Sequence, residues 1–291
     1  MAILGVGLIG GSLALALRTK RACRSIIGFG RSRDRLQKAV ALGVIDEFSL
    51  DVGRAVRGAD IVVLATPLNT TEKLFEAMRT ALKDGVILTD VGSAKGSVVE
   101  AAHKTLDHLL SRFVPGHPIA GTEKSGVEAA FAGLFEAHRV ILTPLPETAV
   151  HAVEMVRKMW EITGAEVVQL SVEHHDEILA ATSHLPHLLA YALVDCLAGL
   201  RDRDEIFEFA AGGFADFTRI ASSSPQMWHD ICLSNRDQVL NALNKFDTQL
   251  RMIRTAIENN DSTSLLNVFT RAKDARDRFA GRRRRRNGAV E

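Results

Sequence analysis

Short apolar runs recur through the first half of the chain, and most are closed by glycine or proline and followed by a segment with helical periodicity. Runs that are nearly continuous in apolar residues are typical of parallel strands buried on both faces. The predicted strands span residues 2–4, 25–29, 59–67, 85–95, 112–116, 140–143 and 166–170. The predicted helices reach from the first glycine-rich segment to about residue 20, and then span residues 34–42, 71–82, 97–110 and 149–162. This alternation predicts a doubly wound α/β sheet.

The second half of the chain carries helical periodicity, and after residue 171 no strand-like run with turn punctuation follows. Residues 172–200 predict one helix, which Pro186 should kink because proline lacks a backbone N–H. Residues 235–258 and 262–279 predict two long helices, the first with a single apolar stripe. Two such helices predict helix-on-helix association, most simply a twofold homodimer.

The pattern therefore divides the chain into three parts. We expect an α/β domain at residues 1–171, an all-α domain at residues 172–281 and a basic tail at residues 282–291. The run of arginines that opens the tail predicts a solvated segment or a junction to a further domain, with contact to nucleic acid as the minor alternative.

The composition narrows the class of protein. Of the 291 residues, 46% are hydrophobic and 24% are charged, as in ordinary globular proteins. A formal net charge of +1 argues against a general nucleic-acid-binding protein, whose charge would be strongly positive. The three cysteines are far apart and odd in number: Cys23, Cys196 and Cys232. They predict buried free thiols, with neither a disulfide framework nor a metal site.

The first 17 residues carry no charge, which raises the question of a signal peptide or a membrane span. Four glycines interrupt this segment, no basic region opens it, and Arg18 ends it below the length that spans a bilayer. We therefore expect a cytoplasmic protein that does not bind a membrane.

The same glycines form a G-x-G-x-x-G motif between a strand and a helix, the context that dinucleotide-binding sites require. Gly5 makes the tight turn, Gly7 lets the backbone approach a pyrophosphate, and Gly10 lets the helix pack on the strand. Free N–H groups at the start of the helix, at Leu8 and Ile9, would bind the anion. The motif therefore predicts a dinucleotide cofactor.

The end of the second predicted strand bears on which dinucleotide is bound. Folds that select NAD usually place an acid there to hold the ribose 2′-hydroxyl, but this chain has Gly30 followed by Arg31, Ser32 and Arg33. Guanidinium and hydroxyl groups suit a 2′-phosphate. We therefore expect NADP in preference to NAD; the alternative is a solvated basic turn before the next helix.

Two further strand ends supply candidate residues. The run 59–67 ends at Thr66 and Pro67, which we expect to lie against the cofactor, and the run 85–95 places Ser93 near its end. The carboxyl ends of strands in an open α/β sheet meet at one edge, where such sheets bind their ligands. These residues are therefore expected at the same edge as the glycine motif.

His117 is the candidate for chemistry, because it follows the apolar run 112–116 and is expected at the carboxyl end of a strand. Imidazole, with an unperturbed pKa of about 6.5, can accept a proton at neutral pH. The alternative is that His117 only satisfies backbone groups of the loop beside Pro118.

The helical half contributes a second set of candidates. His184 and His187 flank Pro186, where a kink would free backbone carbonyls; helix packing around the proline is the alternative. Arg219 stands between apolar residues, so it either pairs with a protein acid, for which Asp216 is the obvious choice, or awaits an anionic ligand.

With these residues in view, the chain resembles the prephenate/arogenate dehydrogenase family of tyrosine biosynthesis. The resemblance covers nearly the whole chain and is specific because several motifs carry it together. They are GVGLIGGS at residues 5–12, DVGSAK at 90–95, HPIAGTE at 117–123, SHLPH at 183–187 and FTRIA at 217–221.

The resemblance implies a Rossmann-type N-terminal domain, a helical C-terminal domain that binds substrate and dimerises, and oxidative decarboxylation of prephenate or arogenate with hydride transfer to NAD(P)+. It implies that His117 is the catalytic base and that Ser93 acts beside it. It further implies that Arg219, His187, His184 and Thr122 bind the substrate. Members of this family often have an acid after the second strand, so Gly30-Arg31 departs from the family pattern.

Two other functions are weighed against this one. A β-hydroxyacid dehydrogenase or imine reductase would share the architecture but would use a lysine or tyrosine on the first C-terminal helix as its acid, and Tyr191 lies in an apolar run. A dinucleotide-sensing dimer without turnover would leave the convergence of Ser93, His117, His187 and Arg219 unexplained.

Overall fold

The predicted apolar strands are present in the computed structural model, which describes residues 1–201 and 203–287. Six of the strands form one parallel sheet in the order β3-β2-β1-β4-β5-β6. Their bounds are β1 (Ala2–Leu4), β2 (Ile27–Phe29), β3 (Glu47–Ser49), β4 (Ile61–Leu64), β5 (Ile87–Asp90) and β6 (Phe113–Val114). The strand order reverses between β1 and β4, which creates the crevice in which sheets of this kind bind ligands. The predicted doubly wound sheet is confirmed.

Alternate residues of the central strands enter two separate hydrophobic cores. Ile3 and Val63 pack in the core on one face of the sheet, while Leu4 and Val62 pack in the core on the other. Since side chains alternate across a strand, both faces must be covered, which explains why these strands are apolar at every position. The apolar pattern missed β3, which has only Phe48 between two polar residues.

The three remaining strands form a second, smaller sheet in the order β7-β8-β9. They are β7 (Gly116–Pro118), β8 (Arg139–Leu142) and β9 (Glu166–Gln169), with β7 antiparallel to β8 and β8 parallel to β9. The predicted run 112–116 is therefore two strands in two sheets. The chain leaves β6 at Pro115, whose carbonyl accepts a hydrogen bond from the Thr143 N–H and whose ring nitrogen cannot donate one.

The predicted helices of the first half are present within a few residues of their expected bounds. They are α1 (Leu8–Thr19), α2 (Arg33–Ala41), α4 (Thr71–Met78), α5 (Gly96–Thr105) and α6 (Val150–Ile162), together with the short α3 (Val52–Val56), which was not predicted. They follow the strands in sequence and flank the sheets.

The helix predicted at 172–200 is interrupted. It consists of α7 (Val172–Leu179), a π-helical segment at Ala180–His184 and α8 (Leu185–Ala198). Pro186 lies in the first turn of α8, where a missing N–H costs little, so the distortion precedes the proline. Single π-helical turns often mark functional sites.

The segment before the long helices is itself helical, which the sequence pattern did not predict. It contains α9 (Arg203–Glu208), α10 (Gly212–Thr218) and α11 (Pro225–Ser234), followed by α12 (Arg236–Glu258) and α13 (Ser262–Asn287). The last helix continues beyond its expected end near residue 279, since α13 reaches Asn287. The final residues of the predicted basic tail, 288–291, lie outside the described residues. Arginine is a good helix former, which accounts for the extension.

The chain divides into two units, Met1–Val239 and Leu240–Glu291. The second unit, built from α13 and most of α12, exposes large apolar side chains at Leu240, Leu250, Met252, Ile257, Leu266, Phe269 and Phe279. Among the described helices, none combines the length and the apolar character needed to cross a bilayer.

The three cysteines are free thiols, as expected, but they are not buried. Cys196 is exposed, and Cys23 and Cys232 are half-buried. Cys196 lies on α8.

Candidate active site

The glycine loop, residues 5–10, joins β1 to α1 at the crevice between β1 and β4. Gly5 has a φ of +100°, and a Cβ there would lie 2.4 Å from the Ala65 carbonyl oxygen. A Cβ at Gly10 would lie 2.2 Å from the Gly5 carbonyl oxygen. Only glycine fits either position, because both close approaches are to backbone atoms.

The remaining glycine of the motif meets a different environment. A Cβ at Gly7 would have open space around it, with no described atom within 4 Å. Gly7 is the N-cap of α1 and has no side chain to accept the first N–H groups of that helix, which include those of Leu8 and Ile9. Open space in front of unsatisfied helix N–H groups fits a pyrophosphate. Thr66 and Pro67 follow β4 next to this loop, as predicted from the strand end.

The end of β2 presents the basic segment to solvent. Arg31 and Arg33 are exposed, and the Arg33 guanidinium lies 5.8 Å from the centre of the Phe48 ring. Ser32 is the N-cap of α2, and its hydroxyl oxygen accepts the Arg35 N–H. The hydroxyl can still donate, so the segment keeps the donors that a 2′-phosphate requires.

His117 lies within β7 and not after the carboxyl end of a strand, which corrects the predicted position. In the antiparallel pairing of β7 with β8, His117 is opposite Ile141. The residue is buried, with 8% of its surface exposed. Its Nδ1 lies 2.9 Å from Nε2 of His175, and the two rings meet edge to face with centroids 5.1 Å apart. The contact between His117 and His175 was not predicted.

His175 connects His117 to a carboxylate. Nδ1 of His175 lies 2.7 Å from Oδ1 of Asp176, the next residue of α7. Asp176 also accepts the backbone N–H groups of Lys95 and Gly96, each at 2.8 Å, at the start of α5. A carboxylate at a helix N-terminus is stabilised by those N–H groups and by the helix dipole.

A buried ion pair lies behind the same helix start. The Lys95 ammonium contacts the Asp90 carboxylate and donates to the Gly116 carbonyl at 2.7 Å. Asp90 in turn accepts the N–H groups of Gly92 and Gly116. Asp90 ends β5 and Gly116 precedes His117, so these contacts fix β7 against the first sheet. We call Asp90, Lys95, His117, His175 and Asp176 the buried polar network.

Burial governs the protonation of the network. Burial lowers the pKa of His117 well below its ordinary value, and His175, Lys95 and His184 lower it further. Burial also lowers the pKa of His175, although the hydrogen bond to Asp176 opposes the shift. Burial lowers the pKa of the Lys95 ammonium against the attraction of Asp90. Both imidazoles are therefore neutral at neutral pH, as a proton acceptor must be.

The Asp176 carboxylate stays ionised. Burial acts to raise its pKa, but hydrogen bonds from His175 and from the N–H groups of Lys95 and Gly96 outweigh burial and lower it. An ionised carboxylate in hydrogen-bond contact with a neutral imidazole is a common way to orient a histidine.

The π-helical segment places the two histidines of the SHLPH motif differently. His184 is 1% exposed; its Nδ1 lies 3.3 Å from the Asn235 side-chain nitrogen, and burial lowers its pKa to about 4. His187 is half-buried, stacks on Trp228 with ring centroids 3.7 Å apart, and donates from Nδ1 to the Ser183 carbonyl. Only His187 is open enough for direct contact with a ligand.

Ser93 lies in the loop between β5 and α5, and its backbone is close enough to His184 to affect that residue's pKa. The Ser93 side chain is half-buried. The loop therefore stands between the end of β5 and the π-helical segment, next to the buried polar network.

Arg219 begins a 3₁₀ turn after α10, and the expectation that it lies among apolar neighbours is wrong. Its side chain is 64% exposed, and the nearest acid is Glu123, at 3.8 Å, and not Asp216. Burial lowers the pKa of His187, and the hydrogen bond to the Ser183 carbonyl opposes this shift. Arg219 is close enough to His187 for its charge to lower that pKa further. Thr122, beside Glu123, accepts the Lys124 N–H. An exposed, loosely paired guanidinium is available to an anion.

The structure thus brings His117, His184, His187, Arg219 and Ser93 to one side of the first unit. His175, Asp176, Lys95 and Asp90 were not predicted from the sequence as parts of the site. No reliable signal in the sequence indicated the contact between His175 and Asp176, because consecutive residues of a helix do not usually face each other. Tyr191, the acid that a rival enzyme class would need, donates to the Ser223 carbonyl at 2.6 Å.

Comparison with known proteins gives two family matches that together cover most of the chain. The family model described as prephenate dehydrogenase, nucleotide-binding domain, matches residues 13–169. The family model described as prephenate dehydrogenase, dimerization domain, matches residues 171–271.

Individual relatives agree with the family models. The chain is 41% identical to a cyclohexadienyl dehydrogenase of Zymomonas mobilis over 95% of this chain and 94% of that protein. It is 40% identical to a prephenate dehydrogenase of Bacillus subtilis over 98% of this chain and 76% of that protein. Among solved structures, the chain is similar to prephenate dehydrogenase from A. aeolicus in complex with hydroxyphenyl propionate and NAD+. The TM-score is 0.89 and the identity is 37%, and the match covers 96% of this chain and 97% of that one.

Proposed function

The chain belongs to the prephenate dehydrogenase family and is an NAD(P)-dependent dehydrogenase, and we propose that it oxidatively decarboxylates prephenate, arogenate or both with His117 as the base. The observation that carries the proposal is the contact between Nδ1 of His117 and Nε2 of His175 at 2.9 Å. A buried, neutral imidazole held through one nitrogen can accept a proton through the other.

The reaction assigns one task to His117. The 4-hydroxyl proton of the substrate passes to the imidazole while hydride leaves the carbon that bears the hydroxyl. A nicotinamide cofactor, when bound at the glycine loop, would supply the hydride acceptor. The ring carboxylate leaves as carbon dioxide, and the electrons of the broken C–C bond complete the aromatic ring and leave a phenolate oxygen. That oxygen takes back the proton from the His117 imidazolium, which gives the phenol and restores the neutral base. A positioned base of this kind contributes about 10²–10⁴-fold in rate.

Ser93 and Thr122 are proposed to assist at the reacting end of the substrate. The hydroxyl of Ser93 can donate and accept, so it can orient the substrate hydroxyl or the imidazole. Ser93 is half-buried in the loop beside His184, which favours this role. Thr122 adjoins Glu123, which lies 3.8 Å from Arg219, and it is proposed to contact the substrate.

Arg219 and His187 are proposed to hold the two carboxylates. Arg219 can offer a bidentate fork to the ring carboxylate. His187 reads the side-chain end, and because its Nδ1 donates to Ser183, a carboxylate would draw a proton onto Nε2. We propose that His184, which is buried, supports His187 and the Ser93 loop without touching the substrate.

The cofactor is proposed to be NADP in preference to NAD. Gly5, Gly7 and Gly10 with the N–H groups of Leu8 and Ile9 would hold the pyrophosphate, and Thr66 and Pro67 would line the adjacent wall. The exposed Arg31, with Ser32 and Arg33, would hold the 2′-phosphate. The exposure of Arg31 at the end of β2 supports this assignment.

We also propose a homodimer through α12 and α13, since both helices expose large apolar side chains. The functional boundary is proposed near residue 171, between a dinucleotide-binding domain and a helical domain for substrate binding and dimerisation. A cytoplasmic location remains a prediction.

The decisive experiment measures initial rates of reduced cofactor formation with prephenate and with arogenate, each with NADP+ and with NAD+. We expect turnover of at least one acid and a higher kcat/KM with NADP+. Turnover with NAD+ alone would remove the role of Arg31. Binding of either cofactor with no turnover of either acid would contradict the proposed function.

A further inference from the structure

We propose that His175 and Asp176 are positioning residues that fix His117 in the tautomer with hydrogen on Nδ1, so that Nε2 is the atom that takes the substrate proton. This inference rests on the proposed role of His117 as base. It assigns a function to two buried residues that the sequence motifs did not include.

The first step concerns Asp176, which can only accept hydrogen bonds while it is ionised. Oδ1 accepts the Lys95 N–H and Oδ2 accepts the Gly96 N–H, so the carboxylate is fixed at the start of α5. The remaining contact of Oδ1, 2.7 Å from Nδ1 of His175, must therefore be donated by His175. The hydrogen of neutral His175 is thus on Nδ1.

The second step follows from the chemistry of neutral imidazole, which has one donor and one acceptor nitrogen. Since Nδ1 of His175 donates, Nε2 of His175 accepts. The atom facing it, Nδ1 of His117, must then carry the hydrogen of that ring. Nε2 of His117 is left as the acceptor nitrogen, which is the form that a base requires.

A proton on His175 would reverse this arrangement of hydrogens. Nε2 of His175 would then donate to Nδ1 of His117, and the hydrogen of neutral His117 would move to its own Nε2, where it blocks the base. The charged and titratable groups around the pair come from several elements: Asp90 at the end of β5, Lys95 at the start of α5, Asp176 on α7 and His184 on the π-helical segment. Lys95 disfavours a proton on either ring, while Asp90 and Asp176 favour one on His175.

The pair therefore works as a base only when both rings are neutral. A single proton on either ring stops it, so the two histidines titrate as one unit in an activity profile. Burial lowers the pKa of both rings, so activity is present above the lowered values and is lost as the pH falls through them. After catalysis, the hydrogen-bonded chain leads from the His117 imidazolium toward the Asp176 carboxylate.

Two substitutions at one position separate this role from a structural one. In His175→Gln the amide oxygen can reach the former position of Nε2 and accept from His117, while the contact to Asp176 is lost. In His175→Asn the amide can keep the contact to Asp176, while the contact to His117 is lost. The two variants have similar polarity and differ in which half of the chain of hydrogen bonds they retain.

We expect kcat of His175→Asn to fall about 10²-fold or more, with the substrate KM changed less than about threefold. We expect His175→Gln to stay within about tenfold of the parent enzyme. If His175 served only to hold α5 through Asp176, His175→Asn would have the higher kcat of the two variants.

The pH profile gives a second test. The acid limb of log kcat against pH should move to higher pH in both variants, because His175 no longer lowers the pKa of His117. A purely structural role would leave the acid limb where it is.

The tautomer can also be measured in the unaltered enzyme, which keeps the test open if a variant fails to fold. Nitrogen-15 chemical shifts of histidine-labelled enzyme, with the His117 signals assigned by their loss in His117→Asn, should place hydrogen on Nδ1 at about pH 8. Hydrogen on Nε2 would overturn the proposal. An inactive His117→Asn enzyme with equal kcat for His175→Asn and the parent would overturn only this inference, whereas an active His117→Asn enzyme would overturn the proposed base itself.

Discussion

The glycine loop and the buried polar network are two functional regions of one unit, and they are built in opposite ways. The glycine loop uses the backbone of six consecutive residues, with open space at Gly7 and close backbone approaches at Gly5 and Gly10. The network uses side chains from segments far apart, with His117 and His175 separated by 58 positions and Lys95 and Asp176 by 81. A region made of local backbone can be identified from a motif, whereas a region made of distant side chains cannot.

The comparison implies that single substitutions act differently in the two regions. In the network a side chain carries the chemistry, so its loss should reduce turnover. In the loop the absence of a side chain carries the function, so an added methyl group should reduce binding of the cofactor or stability.

His117→Asn removes the proposed base and keeps a polar side chain of smaller size. We expect kcat to fall about 10²–10⁴-fold, while the dissociation constant of NADP changes little, because His117 lies in β7 and not in the glycine loop. Rapid-mixing kinetics and cofactor fluorescence measure the two quantities. Near-normal turnover in a folded variant would remove the base assignment.

Arg219→Ala tests the proposed contact to the ring carboxylate. The Arg219 guanidinium is exposed, and its contact with the Glu123 carboxylate is long, at 3.8 Å. We expect the substrate KM to rise roughly 10–100-fold, since a hydrogen bond to a charged group contributes about 1.5–3 kcal/mol. Arg219→Lys is the matched control, because it keeps the charge and loses the bidentate fork. An unchanged KM with a lower melting temperature would mean that the Glu123 pair is structural.

Gly30→Asp tests whether the end of β2 selects the cofactor. A Cβ at Gly30 would lie 3.5 Å from Leu36, an ordinary contact, so the substitution should fold. A carboxylate there suits a ribose 2′-hydroxyl and repels a 2′-phosphate, and we expect the ratio of kcat/KM for NADP+ over NAD+ to fall roughly tenfold or more. Gly30→Ala, which adds the Cβ without the charge, should leave the ratio near that of the parent.

Gly7→Ala and Gly10→Ala form a matched pair within the glycine loop. At Gly7 the added methyl group enters open space, so we expect a stability loss below about 1 kcal/mol and a cofactor KM raised roughly tenfold. At Gly10 the methyl group would lie 2.2 Å from a backbone oxygen, and we expect a loss of about 1–3 kcal/mol in the free energy of unfolding. Equal melting temperatures for the two variants would contradict the contrast between open space at Gly7 and a close backbone approach at Gly10.

The comparison also explains which predictions from the sequence succeeded. The strands and most of the helices in the first half were found within a few residues, because apolar runs and helical periodicity are local signals. The second sheet was missed, since nothing in the run 112–116 tells that the chain changes sheet at Pro115. The helices α9 to α11 were missed because they are short and carry no sustained apolar stripe.

The candidate site divides in the same way. His117, Ser93, His187 and Arg219 were named from strand ends, a kinked helix and a family resemblance, and their individual roles remain predictions. The pairing of Arg219 with Glu123 in place of Asp216, and the burial of His184 beside an open His187, became visible only in the folded chain.

By itself the sequence determined the alternation of strands and helices, the glycine loop and the family to which the chain belongs, because each depends on neighbouring residues or on motifs read in order. The tertiary structure decided which nitrogen of His117 faces His175, where the Asp176 carboxylate is fixed and which arginine is open to an anion. The physical reason is that a hydrogen bond requires two atoms within about 3 Å. Residues 58 and 81 positions apart reach that distance only when two sheets and several helices have packed.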